Sequence, residues 1–136
     1  KDMTRFSITL KKSIEFVYEC MFKSLGGEIF VPKIPSYKLL DLAAAISKKC
    51  KIKIVGTRPG EKIHEELISE HESEITYDVK THLVIISEAS LGKIYLKKGA
   101  KKQKINESYN SSQNKIFLTI NELKKLIEEY KRQLIT

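Results

Sequence analysis

The sequence predicts an α/β fold, because segments with the spacing of amphipathic helices alternate with short apolar runs typical of strands. Helical spacing recurs near the start, in the middle and at the end of the chain. Between these segments lie runs rich in branched apolar residues, such as 52–55 and 82–86. With 136 residues, of which 41% are hydrophobic, the chain fits one globular domain.

The first predicted helix begins after Thr9, whose hydroxyl can cap it, and ends near Leu25, where Gly26 and Gly27 stop it. Its apolar residues fall on one stripe, and we expect the stripe to pack in the core. The stripe consists of Leu10, Ile14, Val17, Met21 and Leu25. Residues 28–31 then form a short predicted strand, which Pro32 closes.

The middle of the chain continues the alternation. A second helix is expected from about Ser36 to Lys49, followed by a strand over 52–55. A third helix is expected over 61–69, and a charged connection leads from it to the strand at 82–86.

The segment from 91 to 108 is rich in lysine, with Gly92 and Gly99 among the charges. We expect it to form a solvated loop or hairpin. After it, Thr119 and Glu122 have the spacing of a capping box, which predicts a last helix to about Gln133. The chain is thus expected to divide into three parts: residues 1–92, 93–108 and 109–136.

The net charge of +8 comes from 25 lysines and arginines against 17 acidic residues. Most of the positive charge is lysine, and Tyr95 is the only aromatic residue in the lysine-rich segment. Because single-strand nucleic-acid platforms interleave several aromatic residues with their cations, we do not expect this segment to bind nucleic acid. No apolar run approaches the ~20 residues of a membrane-spanning helix, so no membrane partner is expected.

The cysteines and histidines point to no metal or disulfide chemistry. Cys20 and Cys50 belong to helical patterns and are expected to be buried thiols in a reducing compartment, the cytoplasm. The three histidines have no cysteine or carboxylate at metal-ligand spacing, so no metal site is expected.

The motif most informative about chemistry is Thr57-Arg58-Pro59-Gly60-Glu61. Proline pre-sets a turn and glycine tolerates the backbone angles of the turn's next position, so a stiff loop presents the guanidinium of Arg58. A second arginine, Arg5, lies in the segment Met3-Thr4-Arg5-Phe6. Two planar guanidinium groups on separate loops suit a diphosphate, whose oxygens they can bind in bidentate fashion.

Together with residues 26–36, Gly-Gly-Glu-Ile-Phe-Val-Pro-Lys-Ile-Pro-Ser, these segments resemble the C-terminal part of the NADP-dependent UDP-N-acetylglucosamine 4,6-dehydratases. The similarity is greatest to the inverting type, which acts at the start of pseudaminic acid synthesis. It is dense from Met3 to about Ser87 and returns weakly from Tyr109 to Leu126. The resemblance implies the substrate-binding part of an extended short-chain dehydrogenase/reductase, without the N-terminal Rossmann half.

The resemblance also implies roles for individual residues. Arg58 and Arg5 would contact the nucleotide diphosphate. Glu61 has two interpretations: it meets the dipole of the helix expected to begin there, or it approaches a ribose hydroxyl. Ser111 and Asn114 match the family's polar segment ahead of the last helix, although a plain turn-forming loop explains them as well. Lys62 and His64 are expected to support the site or to face solvent.

Two motifs of the complete family are missing from the sequence. No glycines form the Gly-x-Gly-x-x-Gly cofactor turn, and no tyrosine is followed by lysine four residues later. The chain is therefore expected to bind the UDP-sugar substrate but not NADP, and to have no activity alone.

Three alternatives remain: part of a capsular UDP-N-acetylglucosamine epimerase, a stand-alone module for phosphate or nucleotide sugars, or an inactive gene remnant. A strand edge and an apolar face left uncovered predict self-association, for example as a homo-oligomer.

Overall fold

A computed structural model describes residues 2–104 and 107–135 of the chain. The chain divides into two compact units, the first made of residues 1–7, 35–65 and 111–136 and the second of residues 8–34 and 66–110. In chain order the elements are β1 (Thr4–Phe6), α1 (Leu10–Lys23), β2 (Ile29–Pro32), β3 (Ser36–Lys38), α2 (Leu39–Ile46), β4 (Glu66–Ile68), α3 (Glu70–Ser73), β5 (Thr76–Asp78), β6 (His82–Ile85), α4 (Ala89–Lys97), β7 (Lys101–Lys102), β8 (Tyr109–Asn110) and α5 (Ile120–Ile135).

The first unit combines a two-stranded ribbon with two helices. Strands β1 and β3 pair antiparallel, with Arg5 opposite Tyr37, and helices α2 and α5 pack on each other. Helix α5 begins at the predicted capping box, in which the Thr119 amide donates to the Glu122 carboxylate and the Glu122 amide donates to the Thr119 hydroxyl. Leu123, one turn into the helix, is buried.

The second unit is built on a four-stranded sheet in the order β2-β6-β5-β7, with antiparallel pairing throughout. Strand β6 is buried at every position. Because side chains alternate along a strand, Leu83 and Ile85 enter one apolar cluster while Val84 and Ile86, the residue after the strand, enter another.

The strand predicted at 52–55 is not present. Ile52, Ile54 and Val55 are exposed, and residues 51–58 have no regular secondary structure. A strand needs a neighbour that accepts and donates its backbone hydrogen bonds, and no strand of the described residues pairs with this segment. An apolar pattern alone does not make a strand, and among the described residues 52–55 have no strand to pair with.

The predicted helix at 61–69 is also wrong. Residues 61–65 form a loop, 66–68 form β4, and a helix begins only at Glu70. Ser69 and Glu72 make a capping box that sets this helix start, and Ile68 is drawn into the apolar cluster with Leu83 and Ile85. In the same way, the helix expected at Ser36 begins at Leu39, because residues 36–38 pair with β1.

The lysine-rich segment contains more order than predicted. Residues 89–97 form α4, and Leu91 and Tyr95, four residues apart, are buried on one side of it. The many lysines concealed this apolar pair in the sequence. The predicted loop or hairpin is thus wrong for 91–97, while residues 101–102 form the edge strand β7.

Helix α1 follows its predicted bounds closely, with the Thr9 hydroxyl accepting from the Lys12 amide. The prediction that its apolar stripe packs in the core is wrong, because no residue of α1 is buried and Leu10 and Met21 are 76% and 71% exposed. The helix instead places Phe16 edge-on against His82.

The two thiols differ in their surroundings. Cys20 is partly buried, and this burial raises the pKa of its thiol. Cys50 is exposed, against expectation.

Replacing Gly92 with alanine should destabilise the protein. An added Cβ would clash with the hydroxyl and ring of Tyr77, which is itself buried. Overpacking of this kind costs about 1–3 kcal/mol, and the better helix propensity of alanine offsets up to about 1 kcal/mol. Urea unfolding should show a net loss, and Tyr77→Phe in the Gly92→Ala background should restore part of it. A Gly92→Ala variant as stable as the original would contradict this packing.

Candidate functional site

The loop that carries Arg58 forms the tight turn predicted from its sequence. The Glu61 amide donates to the Arg58 carbonyl at 3.0 Å. Pro59 and Gly60 occupy the central positions, and Gly60 has φ +80°, the value that a type II turn requires at its third residue. The Glu61 carboxylate accepts a hydrogen bond from the Arg58 amide at 3.0 Å, which closes the turn from the other side.

This geometry clarifies the roles of Arg58 and Glu61. Arg58 is exposed, and its guanidinium has no hydrogen bond or ion pair within the described part of the chain, so it is available to an anion. No helix begins at Glu61, so the helix-dipole interpretation is wrong. The Glu61 carboxylate stabilises the turn, and its contact with a ribose stays a prediction.

Arg5 is held differently, by backbone carbonyls. Its guanidinium donates to the carbonyls of Thr4 at 2.7 Å, Lys62 at 3.0 Å and Ile63 at 3.1 Å. Its Nε lies 3.6 Å from the Glu65 carboxylate, and the side chain is 20% exposed. Arg5 therefore fixes the segment that leaves the Arg58 turn. Its contact with a diphosphate stays a prediction, with most of its donors directed at the protein.

Glu65 and Tyr37 complete the surroundings of Arg5. The second oxygen of the Glu65 carboxylate accepts from the Phe6 amide at 2.9 Å, which ties the loop to strand β1. Burial, reinforced by the nearby Glu65 carboxylate, raises the pKa of Tyr37, which lies opposite Arg5 in the strand pair. Tyr37 is therefore neutral near pH 7.

Ser111 lies at the centre of a buried polar cluster. It is fully buried, and its hydroxyl contacts the Thr4 hydroxyl at 2.7 Å and accepts from the Glu65 amide at 2.9 Å. The Thr4 hydroxyl also lies 2.8 Å from Nδ1 of His64. Ser111 thus acts on the loop from within the protein, and its assignment as a substrate contact stays a prediction.

Asn114 anchors the approach to helix α5. Its side-chain amide donates to the hydroxyl of Ser36 at 3.0 Å, and Ser36 is fully buried. The backbone of Ser36 in turn bonds to Ile116 and Leu118. These bonds fix the polar loop that the sequence associated with substrate. A direct ligand contact by Asn114 stays a prediction.

All five predicted site residues belong to the first unit, although they come from three separate stretches of sequence. No sequence pattern pointed to Thr4 or gave Glu65 a role, and His64 was expected to support the site or to face solvent. Thr4 adjoins Arg5 in its motif, but its partners lie 60 and 107 residues away, which no local pattern reveals.

The described residues do not fit a dinucleotide cofactor or a metal. Within residues 2–104 and 107–135, no glycine-rich turn joins a strand to the start of a helix. Such a turn is the arrangement that cradles the pyrophosphate of a dinucleotide. No group of three or more histidine, cysteine or acidic side chains in these ranges could hold a metal ion. None of the helices described there has the length and apolar character needed to cross a bilayer.

Comparisons with known proteins agree with the motifs. A family model described as polysaccharide biosynthesis protein matches residues 1–88. An inverting UDP-N-acetylglucosamine 4,6-dehydratase from Campylobacter jejuni is 37% identical over 92% of this chain and 40% of its own length. A UDP-glucose 4-epimerase from Rickettsia akari is 33% identical over 92% of this chain and 38% of its own length.

A solved structure shares the fold. The X-ray structure of Pen from Bacillus thuringiensis superposes with a TM-score of 0.77 and 32% identity, over 96% of this chain and 40% of that one. The chain thus spans about 40% of the length of the relatives that it matches.

Proposed function

Because the chain belongs to the polysaccharide biosynthesis protein family, we propose that it forms the nucleotide-sugar-binding portion of an NADP-dependent UDP-N-acetylglucosamine 4,6-dehydratase. The observation that carries this proposal is the Arg58 turn, in which two hydrogen bonds hold the backbone while the guanidinium stays exposed and bonds to no described residue. An arginine presented in this way matches the paired oxygens of a diphosphate.

The proposed contribution of this chain is orientation of the substrate. Binding the UDP moiety holds the attached sugar in register with a reactive group elsewhere, which is a large part of catalysis in two-substrate reactions. NADP bound to the remaining part of the enzyme would supply hydride transfer. We place the complete enzyme in the cytoplasm, at the start of pseudaminic acid synthesis for surface polysaccharide or flagellin glycan, on the basis of the inverting type that the chain resembles.

A second candidate function, part of a nucleotide-sugar epimerase, is favoured by the similarity to UDP-glucose 4-epimerase of Rickettsia akari. Both candidate enzymes must bind the UDP moiety of their substrate, so the site residues support the two candidates equally. We rank the dehydratase first because the inverting dehydratase relative has the higher identity, 37% against 33%.

The proposal of self-association has its own support. The apolar stripe predicted for the first helix is exposed at every position, from Leu10 to Met21 within α1 and at Leu25 just after it. Burying such a surface against another molecule is favourable in water.

The binding proposal can be tested on the 136-residue chain by nuclear magnetic resonance. Titration with UDP should shift the amide signals of residues 57–62 other than Pro59, which has no N–H, whereas uridine, which has no phosphates, should shift them far less. NADP⁺, which also carries a diphosphate, serves as a second control and should bind more weakly than UDP, because the described residues include no glycine-rich turn that cradles a dinucleotide. Signals of 57–62 that do not respond to millimolar UDP would overturn the proposed function.

A further inference from the structure

We propose that His64 is a further ligand-binding residue, which presents its Nε2–H group to an oxygen of the nucleotide sugar, and that the buried hydroxyls of Thr4 and Ser111 hold its ring in the required tautomer. The contact with the nucleotide sugar rests on the proposed function, while the tautomer does not. The inference comes from a chain of hydrogen bonds within the first unit that joins three distant stretches of sequence.

The chain of hydrogen bonds has three consecutive links. The Glu65 amide donates to the Ser111 hydroxyl at 2.9 Å, the Ser111 and Thr4 hydroxyls lie 2.7 Å apart, and the Thr4 hydroxyl lies 2.8 Å from Nδ1 of His64. Both hydroxyl residues are buried, with Ser111 fully so. No solvent is therefore available to satisfy a hydrogen that the chain leaves unpaired.

The direction of these bonds follows from counting hydrogens. The first link is fixed, because a backbone amide can only donate. If Ser111 donates to Thr4 and Thr4 donates to His64, every polar hydrogen in these three hydrogen bonds has an acceptor. In the opposite direction Thr4 would donate to Ser111, and the hydrogen of Ser111 would have no acceptor among its described partners. Buried hydroxyls are rarely left unpaired, so the first direction is favoured.

The favoured direction makes Nδ1 of His64 an acceptor, and the proton of the neutral ring then lies on Nε2. His64 is only partly buried, and Nε2 has no hydrogen-bond partner within residues 2–104 and 107–135. The ring thus carries an N–H donor in a fixed position, and no described residue accepts a hydrogen bond from it.

The segment that carries this donor is also held in place. His64 lies three residues after Glu61, in the segment whose carbonyls at 62 and 63 accept from Arg5. The Thr4 amide donates to the Ile63 carbonyl at 3.1 Å, and the Ser111 amide donates to the Glu65 carbonyl at 2.7 Å. A fixed N–H donor six residues after an exposed arginine suits a ligand with phosphate and hydroxyl oxygens, which is the chemistry of a nucleotide sugar.

The tautomer can be measured without any ligand. In the chain labelled with ¹⁵N-histidine, long-range proton–nitrogen correlation at a pH where the ring is neutral should show His64 protonated on Nε2. Because a free neutral histidine already prefers this tautomer, Thr4→Val should lower its fraction rather than abolish it, whereas Thr4→Ser, which keeps the hydroxyl, should retain the original fraction. An Nδ1–H tautomer in the original chain, or an unchanged tautomer fraction in Thr4→Val, would overturn the hydrogen-bond assignment.

The ligand contact is tested with UDP and UDP-N-acetylglucosamine as the probes. His64→Phe should weaken binding of at least one of them roughly two- to tenfold, the effect of losing one neutral hydrogen bond. His71→Phe, a change of an exposed histidine in the second unit, is the matched control and should have no effect. Thr4→Val should weaken binding in the same direction as His64→Phe, with rescue by Thr4→Ser.

The outcomes separate the two proposals. If the original chain binds neither probe, the proposed function and the ligand contact of His64 both fail, while the tautomer measurement still stands or falls by itself. Suppose instead that both probes bind and that Arg58→Ala weakens their binding, but His64→Phe changes neither affinity. Then only the proposed ligand contact of His64 is wrong.

Discussion

Replacing Arg58 with alanine is expected to weaken UDP binding roughly tenfold to more than a hundredfold. Loss of a charge-assisted hydrogen bond to phosphate costs on the order of 1.5–3 kcal/mol, which corresponds to this range in affinity. Arg58→Lys should recover only part of the loss, because an ammonium group cannot reproduce the bidentate geometry of a guanidinium. Calorimetric titration of the three proteins with UDP measures the effect.

The fold should not change in these variants. The Arg58 side chain is exposed and bonds to no described residue, and the turn is held by the backbone of Arg58 and by Glu61. Thermal unfolding should therefore give nearly the same midpoint for Arg58→Ala and the original chain. Lys53→Ala removes one exposed positive charge from the same loop and controls for net charge. Equal UDP affinities for Arg58→Ala and Lys53→Ala would refute the diphosphate assignment.

The largest expected effect on stability comes from Ile68→Ala. Ile68 is 1% exposed and packs against Val31, Leu83 and Ile85 in the second unit. Removing its side chain beyond Cβ loses buried apolar surface and leaves a cavity, which costs about 2–5 kcal/mol. Since domains are stable by only about 5–15 kcal/mol in total, the change should be large in urea unfolding.

Two companion variants make the measurement specific. Ile68→Val, which removes one methylene, should cost about 0.5–1.5 kcal/mol. Leu67→Ala changes the neighbouring residue, which is 38% exposed, and should cost much less than Ile68→Ala. A loss below about 1 kcal/mol in Ile68→Ala would show that the site collapses onto the cavity or that β4 does not pack as described.

The sequence predicted the fold class and the family correctly. The structure is α/β, and its superposition on Pen, together with the similarity to the dehydratases, identifies part of an extended short-chain dehydrogenase/reductase. The predictions of local features, which depend on residues close together in the sequence, were also correct. These include the Thr9 cap of α1, the Thr119–Glu122 capping box of α5 and the turn at Pro59-Gly60.

The candidate site was only partly predictable. Arg58 could be singled out because proline and glycine beside it define a turn within four residues. The role of Arg5 in fixing residues 62–65 could not, since it depends on contacts 57 and 58 positions away. The same holds for His64, which bears no sequence signal of its pairing with Thr4.

The sequence alone determined the caps and turns, because their hydrogen bonds join residues only about three positions apart. Tertiary structure decided which apolar runs became strands, since a strand exists only where another strand satisfies its backbone. It left 52–55 unpaired, drew Ile68 into a core strand and exposed the stripe of α1. Tertiary structure also joined Thr4, His64 and Ser111, because burial of hydroxyls requires partners that only the folded chain brings within reach.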